Sequence, residues 1–183
     1  MNLPKLTALL ESYTGSSDSE YLELAKDPEA NEKRLQELVE SAAKSKGYGV
    51  GPMYHGTNYT FTEFSPRSWF AFNKVNALVT GSSSPTHIIE VFLDVEPYDV
   101  TMDEFYDFQI TTSSGKDNAD RMSNKLLDQA EDEGYDSVEF SEYAILVSNP
   151  NQIKSADPVT YDKSGNIIPL SKRFDSSTDN INY

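Results

Sequence analysis

Apolar residues repeat with helical spacing in two stretches of this chain, 28–46 and 118–133. Most of the apolar sequence between and after them clusters as strands do. The first stretch opens with Asp27 as N-cap, Pro28 at the first helical position and Glu29 at the positive helix end. Leu35, Leu38, Val39, Ala42 and Ala43 then form one stripe, and Gly47 is the expected C′ residue. The second, Asn118 to Glu133, buries Met122, Leu126, Leu127 and Ala130 and stops at Gly134. Strands are expected at Pro52–Thr57, Trp69–Phe72, 86–95, Asp136–Phe140 and Tyr143–Val147, the last ended by Asn149-Pro150. Residues 105–116 read as a loop. Strands outnumber helices and do not alternate with them, which favours α+β over a doubly wound sheet.

One domain at 48–175 is therefore expected, preceded by an N-terminal helical extension at 1–47. Residues 1–26 read as loosely attached, and 176–183 as a polar tail that frays. A chain of 183 residues can bury a single core without covalent staples. It has no cysteine, which excludes disulfides, thiolate metal sites and a cysteine nucleophile. Fifteen basic residues against thirty acidic ones give a net charge of −15. Such a field repels a phosphate backbone, so nucleic acid is not an expected partner. No apolar run reaches the length of a membrane span, and Met1 to Leu10 makes a poor signal peptide. The expectation is a soluble, cytoplasmic protein with no membrane partner.

Only two histidines are present, too few and too far apart for a His-rich metal site, so no metal is expected. His87 opens an apolar strand and reads as a packed or hydrogen-bonded residue. His55 stands between Tyr54 and Gly56-Thr57, where a glycine lets another group approach the backbone. No Gly-rich phosphate loop and no Gly-x-Ser-x-Gly elbow occurs. Taken singly, Trp69 would read as a core aromatic and Glu142 as a solvent-facing strand residue.

The joint order is more informative. Tyr54-His55-Gly56-Thr57, Trp69-Phe70-Ala71 and Ser141-Glu142-Tyr143-Ala144-Ile145-Leu146-Val147 follow one another at domain-sized spacing. This resembles the ADP-ribosyltransferase superfamily, in its histidine–tyrosine–glutamate branch of diphtheria toxin and the poly(ADP-ribose) polymerases. Asp27-Pro28-Glu29, Lys46-Gly47-Tyr48, Gly134-Tyr135-Asp136, Asn149–Ser155 and Asn166–Ser171 are similar to ADP-ribosyltransferase-like domains of phage polyvalent proteins. The similarity spans roughly residues 28–174.

The resemblance implies a split β-sheet core and NAD as substrate. His55 would hydrogen-bond the adenosine-side ribose, and the Gly56 backbone would hold the nicotinamide amide. Trp69, in place of the family's tyrosine, would stack on the nicotinamide ring. Thr57, Phe70 and, from the next helix, Thr80 would contact NAD as well. Glu142 would stabilise the cation that develops as nicotinamide leaves, with His55 as its catalytic companion. Two departures stand out: the tyrosine hydroxyl is lost at Trp69, and Asn76–Thr80 lacks a second aromatic for the pocket.

The implied activity is mono-ADP-ribosylation of a host protein or other acceptor by a phage or mobile-element enzyme, with NAD hydrolysis as a side reaction. The alternative is a catalytically degenerate fold or an acidic binding protein. The related RNA 2′-phosphotransferase chemistry is disfavoured by the acidity. Two geometric expectations follow: Tyr54-His55-Gly56 and Glu142-Tyr143 on neighbouring strands facing one cleft, and Trp69 lining the pocket rather than the core.

Overall fold

The computed structural model describes residues 17–80, 85–101, 103–104, 107, 116–141 and 143–183. Helix α1 occupies 17–24, and α2 runs Pro28–Ser45. Strands β1 (Val50–Thr57) and β2 (Ser68–Ala71) follow, then α3 (Lys74–Thr80), β3 (His87–Leu93) and β4 (Pro97–Val100). The chain continues with α4 (Lys116–Asp132), β5 (Ser137–Phe140), β6 (Ala144–Val147) and β7 (Ile153–Ser155). The architecture is α+β, with helices packed on a mixed seven-stranded sheet.

Local chemistry explains α2. The Asp27 side chain accepts a hydrogen bond from Ala30 N–H at 3.3 Å, satisfying one of the orphan donors of a helix start. Gly47 takes φ +99°, which ends the helix in the left-handed region. Leu35, Val39 and Ala43 lie on the buried face, where they meet Tyr48, Phe92, Leu170 and Phe174. Tyr21 and Ala25 join the same core. The segment from residue 17 onward is therefore tied down, contrary to the loose attachment expected of it. Asp18 accepts from Ser171 N–H and Oγ–H, and the Tyr21 hydroxyl donates to the Pro158 carbonyl.

The sheet order is β4-β5-β6-β2-β1-β3-β7, antiparallel throughout except for the parallel β4–β5 pair. Its strands are unequally joined. β1 and β3 share six registered pairs and β2 and β6 share four, whereas β1 and β2 share one, Tyr54 with Ala71. The halves β4-β5-β6-β2 and β1-β3-β7 thus meet along a short seam, which is the split core in physical form.

Side-chain alternation gives the sheet two packed faces. One carries Phe70, Val91, Leu93, Ile145 and Val147, covered by Phe64 and Ile181. The other carries Val138, Phe140 and Leu146 under Leu127 and Ala130 of α4. Among the described residues, no helix is long and apolar enough to cross a membrane.

The polar tail does not fray. Ile181 N–H donates to the Thr62 carbonyl and Ile181 C=O accepts from Ser155 N–H, both at 2.8 Å. Its side chain is 6% exposed in the core. Composition suggested a free end because every anchor but Ile181 is a backbone or polar group. Lys154 Nζ, buried on β7, donates to the Thr178 and Asn180 carbonyls at 2.6 and 3.1 Å.

Burial pushes the Lys154 ammonium down to about 8, against the pull of Asp175 and Asp179. The unfolded chain keeps the ordinary lysine value, so between pH 8 and 10.5 it binds more protons than the fold does. Stability from this residue therefore rises with pH across that window. Relative to Lys154→Met, the native protein should gain about 3 kcal/mol there in urea denaturation. Parallel pH profiles for the two proteins would show that the ammonium is not buried in the fold.

Candidate functional site

His55 lies on β1 with its ring among Phe61, Phe64 and Phe70, at centroid distances of 6.2, 5.1 and 5.7 Å. Its Nδ1 is 2.8 Å from the Trp69 carbonyl oxygen. A carbonyl can only accept, so Nδ1 carries a proton, and in the neutral form of the ring Nε2 is the acceptor nitrogen. Burial lowers the pKa of the imidazole, and the bond to Trp69 partly opposes that shift. Geometry thus keeps a proton on Nδ1, and burial favours the uncharged ring. The bond also spans the β1–β2 seam, where the backbone ladder contributes one registered pair.

Gly56 is the next residue and faces the other way. A Cβ placed there would meet the Ala77 carbonyl oxygen of α3 at 2.2 Å, inside any tolerable contact. The missing side chain is what lets α3 seat against β1. Lys74 at the start of α3 pairs with Glu90 of β3 and sits 5.4 Å above the Tyr54 ring, closing the same face. Thr57 is buried, and its hydroxyl accepts from Tyr59 N–H at 3.1 Å, shaping the turn after β1. Thr80 ends α3, and its side chain lies outside the described residues.

Trp69 and Phe70 point to opposite faces, as alternation in β2 requires. Phe70 has no exposed surface and supports His55 from behind. A contact of Phe70 with NAD would need the aromatic side chains that cover it to move aside. Trp69 is half-buried and packs on Phe140 at 5.0 Å. Of the expectation that it lines the pocket rather than the core, the second half is corrected: the ring packs against the core under α4, because both faces of β2 carry one. Its remaining exposure is what a stacked ring could use.

Glu142 lies outside the described residues, between Ser141 and Tyr143. Ser141 has φ +45° and its Oγ donates to the Val100 carbonyl at 3.4 Å, while Tyr143 N–H donates to the Phe140 carbonyl at 2.8 Å. These bonds fix both sides of the β5–β6 turn. The neighbouring-strand expectation is corrected: β2 stands between β1 and β6, so the two motifs flank it. His87 is exposed and its Nδ1 lies 2.8 Å from the Thr86 hydroxyl.

Phe61 and Phe64 belong to no motif, and their only mark in the sequence is two aromatics three residues apart beside His-Gly-Thr. Arg67, which holds β2 to α4, carries no such mark. The Arg67 guanidinium donates to Asn124 Oδ1 and to Asp128 at 3.1 and 2.5 Å. A cavity of about 500 Å³ between Lys46 and the 171–176 segment is lined by none of the nominated residues. Among the described residues no three acidic or imidazole groups are placed to hold a metal ion.

The seam, the half-buried histidine beside it and the β5–β6 turn together define an ADP-ribosyltransferase-type sheet. A family model described as ADP-ribosyltransferase in polyvalent proteins matches residues 50–162, and the chain belongs to that family. No curated protein and no solved structure matches it. The matched region begins at β1 and ends beyond β7, so it takes in the whole sheet.

Gly56→Ala should destabilise the protein by about 3 kcal/mol, the upper range for overpacking, because a helix carbonyl rather than a flexible side chain blocks the new methyl. Urea denaturation followed by circular dichroism measures it. A loss below about 0.5 kcal/mol, the range of an ordinary surface change, would mean that α3 is not held against β1 at this point.

Proposed function

We propose that the protein is an NAD-dependent mono-ADP-ribosyltransferase, encoded by a phage or mobile element and acting on an acceptor in the host cytoplasm. In the reaction the bond between ribose C1′ and the nicotinamide nitrogen breaks, and its electron pair leaves with nicotinamide. An acceptor nucleophile then bonds to C1′ and releases its proton. The sugar passes through an oxocarbenium-like state, for which a fixed nearby carboxylate is the effective stabiliser. Glu142 is assigned that role. His55 is assigned the adenosine-side ribose, the Gly56 backbone and Thr57 the nicotinamide end, and Trp69 the face of its ring.

The observation that carries this reading is the placement of His55. Its Nδ1–H is held by the Trp69 carbonyl at the seam between the sheet halves, and burial favours its neutral form. A neutral ring can exchange hydrogen bonds with ribose hydroxyls without a charge to desolvate. Water in place of the acceptor would give NAD hydrolysis by the same path.

A second reading, a non-catalytic binder on the same fold, is favoured by α3. Its sequence, Lys74–Thr80, offers no aromatic to the pocket.

Glu142→Gln separates the readings. It keeps the shape of the side chain and removes its charge. NAD affinity should stay within about tenfold, or roughly 1.4 kcal/mol. Nicotinamide release, followed by chromatography, should fall by about two to three orders of magnitude, as when a preorganised electrostatic group is lost. Equal release by both proteins would remove Glu142 from the chemistry, and no release by either would favour the binder.

A further inference from the structure

We infer that the C-terminal strap, residues 175–183, is a positioning element for His55, holding the two phenylalanines that pack on the imidazole. The inference rests on the reading of His55 as an NAD-site residue. The family match ends at residue 162, so the strap would complete the site from outside the matched region.

The connection runs through a few named contacts. Phe61 and Phe64 meet the His55 ring edge-on, at interplanar angles of 76° and 86°. Between them lie Thr62 and Glu63, and the strap grips both. Ile181 N–H donates to the Thr62 carbonyl at 2.8 Å, and Asn180 forms an antiparallel bridge with Glu63.

On its other side the strap is fixed to β7. Ser155 N–H donates to the Ile181 carbonyl at 2.8 Å, and Lys154 Nζ donates to the Thr178 and Asn180 carbonyls. Thr160 Oγ1 donates to the Asn182 carbonyl at 3.0 Å. Ile181 therefore links the β7 edge to the segment over His55, and its side chain shares a core with Phe64 and Phe70.

A strap that served stability alone would affect melting and leave the imidazole as it was. A positioning strap changes the surroundings of the ring. His55 is lowered in pKa by burial, with the Trp69 carbonyl opposing. Phe61, Phe64 and Phe70 supply the burial, and Glu63, the charged residue of the covering segment, is exposed. Loosening the cover admits water and returns the imidazole toward its ordinary value.

The test uses the full chain with Ile181→Ala and Ile181→Val, both checked for folding by circular dichroism. The His55 Cε1–H resonance is titrated by NMR, and nicotinamide release is measured against NAD concentration. Ile181→Ala should raise the pKa of His55 and raise KM for NAD by about tenfold, as small misplacements of a binding group do. The effect on kcat should be smaller, and Ile181→Val should restore both quantities. A lower melting temperature with an unchanged His55 titration would overturn the proposal. Should Ile181→Ala not fold, Phe64→Leu is read in the same way, and an unmoved titration again overturns it. Absence of nicotinamide release from the native protein would refute the enzymatic reading alone, leaving the titration to decide the role of the strap.

Discussion

The hydrogen bond from His55 Nδ1–H to the Trp69 carbonyl is the interaction on which the rest of this structure turns. The backbone ladder joins the two half-sheets at one registered pair, Tyr54 with Ala71. A side chain supplies the next link. Phe61, Phe64 and Phe70 surround it, and in such low-dielectric surroundings a satisfied hydrogen bond is electrostatically stronger than in water. The same bond keeps a proton on Nδ1, so one contact joins the halves and orients the ring, while burial favours its uncharged form.

Packing on the opposite face supports the seam independently. Gly56 brings the backbone of α3 against β1, and Arg67 ties the start of β2 to α4. Trp69 fills the space beside Phe140. Opening the seam would therefore disturb cores on both faces, one with Phe64 and Ile181 and one with Leu127 and Ala130. Such a division suits a site that needs a fixed frame with a short gap in its backbone pairing.

Much of this was legible in the sequence where physics acts locally. Asp27-Pro28 and Gly47 announced α2 because caps and left-handed glycines work within one helical turn. Alternation placed Trp69 and Phe70 on opposite faces, and the strands at β1, β3, β5 and β6 followed from apolar runs. What stayed hidden depends on partners far along the chain. Pro97–Val100 is a strand because it pairs in parallel with Ser137–Phe140, about forty residues away. Ile153–Ser155 is three residues long and is held by β3. The strap was unreadable for the same reason, since its anchors are carbonyls and amides rather than an apolar pattern. His55 was found through its motif, but Phe61 and Phe64 enter the site through a turn that no periodicity reports.

The central claim is that the nicotinamide end of NAD lies at the β1–β2 seam against Trp69. Trp69 is the sole tryptophan of the chain, so its fluorescence reports on that place alone. With excitation at the red edge of the indole band, titration with NAD should change the emission saturably, and Glu142→Gln should show a similar midpoint. Nicotinamide release from NAD with no change in Trp69 emission at any NAD concentration would contradict the account.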